Sequence, residues 1–151
     1  MHAPIYFEDM SVGDTFESFS KTITESEIIE FAWKYDPQPF HISKPAAEES
    51  MFGGLISSGF LTIAVTFRLF YQANGFQATC VGAHGIDSVR WMQPVRPGDT
   101  IRATMEVLAL KESRSRPEIG NVRTLTSTIN QNDEVVMTME TPWLVKRRPA
   151  P

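Results

Sequence analysis

The sequence predicts an α+β domain in which a curved antiparallel sheet wraps around one long apolar helix. Three observations carry this reading. Phe60 to Ala73 is apolar on nearly every side, as in a helix buried on most of its faces. Ile101, Ala103, Met105, Val107 and Ala109 alternate strictly with other residues, which is the period of a strand with one covered face. Clusters of Gly, Pro, Asn and Asp then divide the second half of the chain into strand-sized segments. Helices therefore come first and strands last, the order of an α+β architecture.

Each element has its own signal. Val12-Gly13-Asp14 forms a turn into a strand over Thr15 to Thr22, which is aromatic and β-branched. Thr24 and Glu27 make a capping box. Behind it Ile28, Phe31, Ala32 and Tyr35 recur at helical spacing, giving a helix with one buried stripe. Pro37 ends that helix, so Asp36 stands at its C-terminus and His41 in the loop beyond. A short polar helix is expected over Pro45 to Ser50, then a Gly- and Ser-rich approach to the apolar helix that begins at Gly59. Arg68, its one internal charge, belongs at the edge of the stripe. Strands follow at Gly85 to Met92, Thr100 to Leu110, Val122 to Asn130 and Val135 to Val145. The Gly-Asp-Thr turns at Gly13 and Gly98 echo each other without making a repeat. Five strands curled round one helix leave an edge and a face uncovered. A second copy would cover them, so a homodimer or an assembly of dimers is expected.

A chain of 151 residues is long enough for one domain with its own core. The reading is a single domain over 1–151, with its core at about 6–145 and a loose tail at 146–151. The net charge of −4 and pI of 5.4 exclude the basic stripe of a nucleic-acid binder. Lys146-Arg147-Arg148 reads as a solvated terminus. Cys80 has no partner for an intrachain disulfide and reads as a small apolar filler. Three histidines and one cysteine show no metal-ligand spacing, so no metal is expected. Residues 1–8 lack the basic-then-apolar pattern of a secretion signal. The longest uncharged stretch, between Glu49 and Arg68, is too rich in glycine and hydroxyls for a membrane span. A cytoplasmic protein with no membrane partner is expected.

The chemistry concentrates in Asp36-Pro37-Gln38-Pro39-Phe40-His41. A carboxylate and an imidazole stand five residues apart on a frame stiffened by two prolines, each of which also restricts the residue before it. General acid–base catalysis needs such preorganisation, because the base must sit within hydrogen-bond reach of its proton. His84 reads as a surface or core histidine, and Trp91 and Trp143 as packing.

Three segments together resemble the MaoC-like acyl dehydratase family, which includes the (R)-specific enoyl-CoA hydratases. Asp36 to His41 is similar to the family's D-x-N-P-x-H signature. Phe52 to Gly59 resembles its glycine-rich approach to the central helix, and Arg90 to Thr100 its strand-turn-strand. The likeness runs over roughly Tyr6 to Val145. It implies a hotdog fold and hydration or dehydration of 2-enoyl and 3-hydroxyacyl thioesters, coenzyme A serving only as part of the substrate and no other cofactor taking part. It implies a catalytic dyad of Asp36 and His41, an oxyanion-holding backbone N–H at Gly59, and substrate contacts at Gln38, Gly54 and Ser58. It also implies an acyl tunnel at a dimer interface. Gln38 replaces the signature asparagine, Ser58 stands where many hydratases have histidine, and Ala64 where some carry serine. Two other functions fit the same fold: an acyl-CoA thioesterase, or a non-catalytic acyl-thioester-binding subunit. Residues 59–73 lack the carboxylate that hotdog thioesterases place on the central helix.

Overall fold

The capping box at Thr24 sets the first helix. Thr24 Oγ1 accepts the Glu27 N–H at 3.2 Å and Glu27 Oε2 accepts the Thr24 N–H at 3.3 Å. The structure, a computed structural model, describes residues 2–149. In chain order it contains β1 (Thr15–Glu17), β2 (Lys21–Thr22), α1 (Glu25–Tyr35), α2 (Pro39–Ile42), α3 (Lys44–Glu49), α4 (Gly59–Ala73), β3 (Cys80–Ala83), β4 (Ser88–Trp91), β5 (Thr100–Glu112), β6 (Ile119–Ile129) and β7 (Val135–Lys146). Every strand pair is antiparallel. The order is β1-β5-β6-β7-β3, with β2 also on β5 and β4 also on β7.

The inner face of the sheet presents Ile101, Ala103, Met105 and Val107 from β5, Val122 from β6, and Met137, Met139, Trp143 and Val145 from β7. These form one apolar cluster with Leu61, Val65, Leu69 and Phe70 of α4. The helix thus sits on the curved sheet as the sequence predicts, and its N-terminus is delivered to one end of the core.

Several expectations need correction. The strand expected over Thr15 to Thr22 is two short strands. Ser18 interrupts it: its hydroxyl accepts the Ala103 N–H at 2.8 Å, taking the place of a ladder carbonyl. The alternation along β5 ends at Val107, where a register shift against β6 turns Ala109 outward. β3 was not anticipated; it holds only four residues and carries its own register shift between Cys80 and Gly82. On α1 the core takes Ile28 and Ala32, while Tyr35 is 71% exposed and only rests its ring on Phe31, 5.1 Å away. α4 is covered on one face rather than on most of its faces. Leu61, Thr62, Val65, Thr66, Leu69 and Phe70 are buried, whereas Phe60, Ala64, Phe67 and Arg68 face outward.

Of the tail expected to be loose at 146–151, residues 150 and 151 lie outside the described residues, and Arg147 and Arg148 are tied down. Arg147 Nε pairs with Glu8 Oε1 at 2.8 Å and Arg147 Nη2 with Glu112 at 3.2 Å. The Arg148 N–H donates to Glu8 Oε2, and its guanidinium reaches Asp9 and lies over the Tyr6 ring. An acidic 3₁₀ turn at Phe7–Asp9 is the complement that the sequence reading overlooked. The two Gly-Asp-Thr turns do share a device. Asp14 Oδ2 accepts the Ser11 N–H at 2.7 Å and Asp99 Oδ2 accepts the Arg96 N–H at 2.8 Å, with Gly13 and Gly98 at positive φ.

Candidate active site

Pro37 stops α1, and Asp36 becomes its C-cap. Pro39 then occupies the first turn of a second short helix, where its missing N–H is not needed. His41 therefore lies in α2 rather than in a loop, a correction to the sequence reading. One stiff corner thus carries both side chains. His41 is 4% exposed, and its Nε2 is 3.3 Å from Asp36 Oδ2. Its other nitrogen, Nδ1, lies 2.8 Å from the Ile56 carbonyl oxygen. A carbonyl can only accept, so Nδ1 holds a hydrogen and Nε2 is left as the atom that exchanges a proton.

Asp36 is held from three sides. Ser58 Oγ donates to Oδ2 at 2.7 Å, Gln38 Nε2 donates to Oδ1 at 2.9 Å, and His41 faces Oδ2. Burial opposes the charged form, but the hydrogen bonds from Ser58 and then Gln38, with the charge of His41, outweigh it. The carboxyl is held below its ordinary range.

The strap over residues 52–58 closes the site. The Ile56 N–H donates to Phe40 O and the Ser57 N–H to Val95 O, so the strap is pinned between α2 and the turn that precedes β5. Arg96 Nη2 donates to Phe52 O at 2.6 Å. The strap ends at Ser58, the N-cap of α4, whose Oγ accepts the Phe60 N–H at 3.2 Å. Gly59 then opens the helix, where backbone N–H groups lack intrahelical partners and favour negative charge. Asp36, Gln38, His41 and Gly59 share a cleft of about 480 Å³. Its apolar wall comes from Phe40, Phe52, Ile56, Phe60, Trp91 and Met92, with Ser57 and Thr62 adding hydroxyl-bearing residues.

Four of the six site residues expected from sequence therefore meet at one cleft. Ser58 and Gly54 do not line it. Ser58 is 0% exposed, behind the wall. Gly54 packs beside the Arg96 guanidinium. Trp91, read as packing, lines the cleft and donates from Nε1 to Gly59 O at 3.2 Å. A Cβ on residue 59 would overlap the Trp91 ring, so glycine is needed there before any ligand is considered. Trp143 is a packing residue, with Nε1 donating to Thr124 Oγ1 at 3.0 Å. His84 is exposed and lies outside the cleft lining. Burial raises the pKa of the Cys80 thiol, which opposes a thiolate role.

A family model described as "MaoC like domain" matches residues 9–132. The chain belongs to the MaoC-like dehydratase family. A crystal structure of a MaoC-like dehydratase from Rhodospirillum rubrum superposes with a TM-score of 0.91 at 38% identity, covering 97% of this chain and 99% of that one. An (R)-specific enoyl-CoA hydratase of Rhodospirillum rubrum is 35% identical over 111 residues, 70% of this chain and 71% of its own length. A Mycobacterium tuberculosis protein described as having a double hotdog fold superposes at a TM-score of 0.77 and 16% identity. It matches 98% of this chain over 46% of its own, a likeness of fold alone. The MaoC-like chain described here thus has the hotdog fold, with α4 as its long helix. Among its described residues no helix is long and apolar enough to cross a membrane.

Proposed function

We propose that the protein adds water to a 2-enoyl thioester, or removes it from a 3-hydroxyacyl thioester, with coenzyme A as the carrier. The observation that carries this reading is the 3.3 Å approach of His41 Nε2 to Asp36 Oδ2 on the wall of a cleft that also contains Gly59. Its place in a family whose relatives are named hydratases and dehydratases supports the same reading. In the hydration direction Asp36 and His41 hold one water between them. The water oxygen bonds to Cβ while its proton passes to the pair. The electrons of the double bond shift onto the thioester oxygen, and a proton returns from the pair to Cα. A carboxylate kept ionised by its neighbours suits the base. The Gly59 N–H, at the positive end of α4, faces the oxygen that gains charge; losing one such donor costs on the order of 3 kcal/mol in other enzymes. No metal or redox group has a part in this scheme. The apolar wall favours a hydrocarbon acyl group.

The test is the disappearance of the enoyl chromophore of crotonyl-CoA and longer enoyl-CoAs. Asp36→Asn and His41→Ala should each lower kcat by about 10²–10⁴-fold. Wild-type rates in both variants would remove the pair from the mechanism. Release of free thiol from saturated acyl-CoA would instead identify a thioesterase. We also infer a homodimer formed through the β3–β4 edge, where Val81, Ile86, Trp91 and Met92 are exposed alongside Phe67 of α4. That inference draws support from the double hotdog chain, in which one such fold occupies 46% of the length.

A further inference from the structure

We propose that Ser58 is a positioning residue for the reaction: its buried hydroxyl ties the Asp36 carboxylate to the first turn of α4 and holds it charged and in register with the Gly59 N–H. The proposal rests on the hydratase reading above and adds a residue that touches neither substrate nor water. The geometry is directional. Ser58 Oγ accepts the Phe60 N–H at 3.2 Å, so its one hydrogen is free to point elsewhere, and it points to Asp36 Oδ2 at 2.7 Å. One oxygen atom therefore joins the base to the helix end that bears the oxyanion donor, across 22 positions of sequence.

The other donor to Asp36 does not have this leverage. Gln38 is exposed, so water can replace its amide if it swings away. Ser58 is wholly buried, so nothing replaces its hydroxyl. A hydrogen bond given to the ionised form lowers a carboxyl pKa, so loss of this one raises it. The base then protonates at a higher pH, and its bearing on the Gly59 N–H is no longer fixed. Oδ2 accepts from Ser58 and faces His41 Nε2, while Oδ1 accepts from Gln38.

The experiment pairs two readouts. The first is titration of the Asp36 carboxyl carbon by NMR in wild type, Ser58→Ala, Ser58→Gly and Ser58→Thr. The second is the pH dependence of kcat and KM with crotonyl-CoA. Glycine is accepted at helix N-caps, so Ser58→Gly removes the hydroxyl with little loss of capping and carries the test if Ser58→Ala is poorly folded. In Ser58→Ala and Ser58→Gly the Asp36 titration and the acid limb of kcat should both move up by about one pH unit. In the same variants kcat should fall about tenfold or more while KM stays within twofold. Ser58→Thr, which keeps the hydroxyl, should leave the Asp36 titration and the acid limb in place. An unmoved Asp36 titration in the hydroxyl-free variants overturns the proposal, as does a lowered kcat with an unmoved acid limb. The titration needs no turnover, so it decides whether Ser58 holds Asp36 even where an inactive wild-type protein sinks the hydratase reading.

Discussion

At residue 59 two demands coincide, and the structure separates them. Under the proposed reaction a side chain there would obstruct the bound thioester, but it would first strike the indole of Trp91, which lies over the Gly59 backbone and donates to its carbonyl. Gly59→Ala should therefore lose about 1–3 kcal/mol of stability even without ligand, the usual cost of overpacking. Adding Trp91→Ala should return most of it, because the indole is 52% exposed and its own removal costs little. Urea unfolding of the two single variants and the double variant would show this as a non-additive cycle. Additive losses would mean that the ring is not the obstacle. Asp36 and His41 were legible in the sequence because their relation is local: two prolines and five positions fix it. The contacts that tune them were not. Ser58 to Asp36 spans 22 positions and Trp91 to Gly59 spans 32, and no spacing rule links residues that meet only after the sheet has folded around α4. The sequence offered only an aromatic residue, Trp91, three positions ahead of Pro94.

At the level of elements, the interface between α4 and the sheet is unusual in being hydroxyl-rich. Thr62 and Thr66 on the helix, Thr124, Thr126 and Thr128 on β6, and Thr141 on β7 are all buried. Thr66 Oγ1 and Thr128 Oγ1 meet at 2.7 Å and join helix to strand directly. Such a pair adds little net stability when complete but is costly to break by halves, because the orphaned hydroxyl stays dry. Thr66→Val should cost about 1–3 kcal/mol, and Thr66→Val with Thr128→Val should recover most of that loss. Equal destabilisation in the single and double variants, read from urea midpoints, would show that the pair is not the relevant unit. The element boundaries that the sequence placed correctly rest on strong local chemistry: the Thr24–Glu27 capping box, the Pro37 stop, and the start of α4 at Gly59. Those it missed depend on partners. The register shift beyond Val107 is set by β6, the break at Ser18 by Ala103, and β3 by the far end of β7.

Over the whole molecule, the strand ends and the outer strands are finished differently. At one end of β5, β6 and β7 the fold is closed by charge, since Glu8 and Asp9 bind Arg147 and Arg148, and Arg147 also reaches Glu112. The border at β3 and β4 leaves Val81, Ile86, Trp91 and Met92 exposed, with Phe67 of α4 beside them. A bare apolar strand edge invites pairing, and an isologous contact between two copies would cover it. Trp91 and Met92 belong both to this border and to the cleft wall, so assembly and activity should be linked. Sedimentation equilibrium should give twice the 17.0 kDa chain mass for the wild type. Ile86→Asp places a charge on the border without touching Asp36, His41 or the strap. It should weaken association by about a hundredfold or more, since an unpaired buried charge costs several kcal/mol and each ~1.4 kcal/mol is tenfold. Its kcat with crotonyl-CoA should fall at protein concentrations where it is monomeric and recover as concentration rises. A monomeric wild type, or a monomeric Ile86→Asp with undiminished kcat, would show that each copy completes its cleft alone.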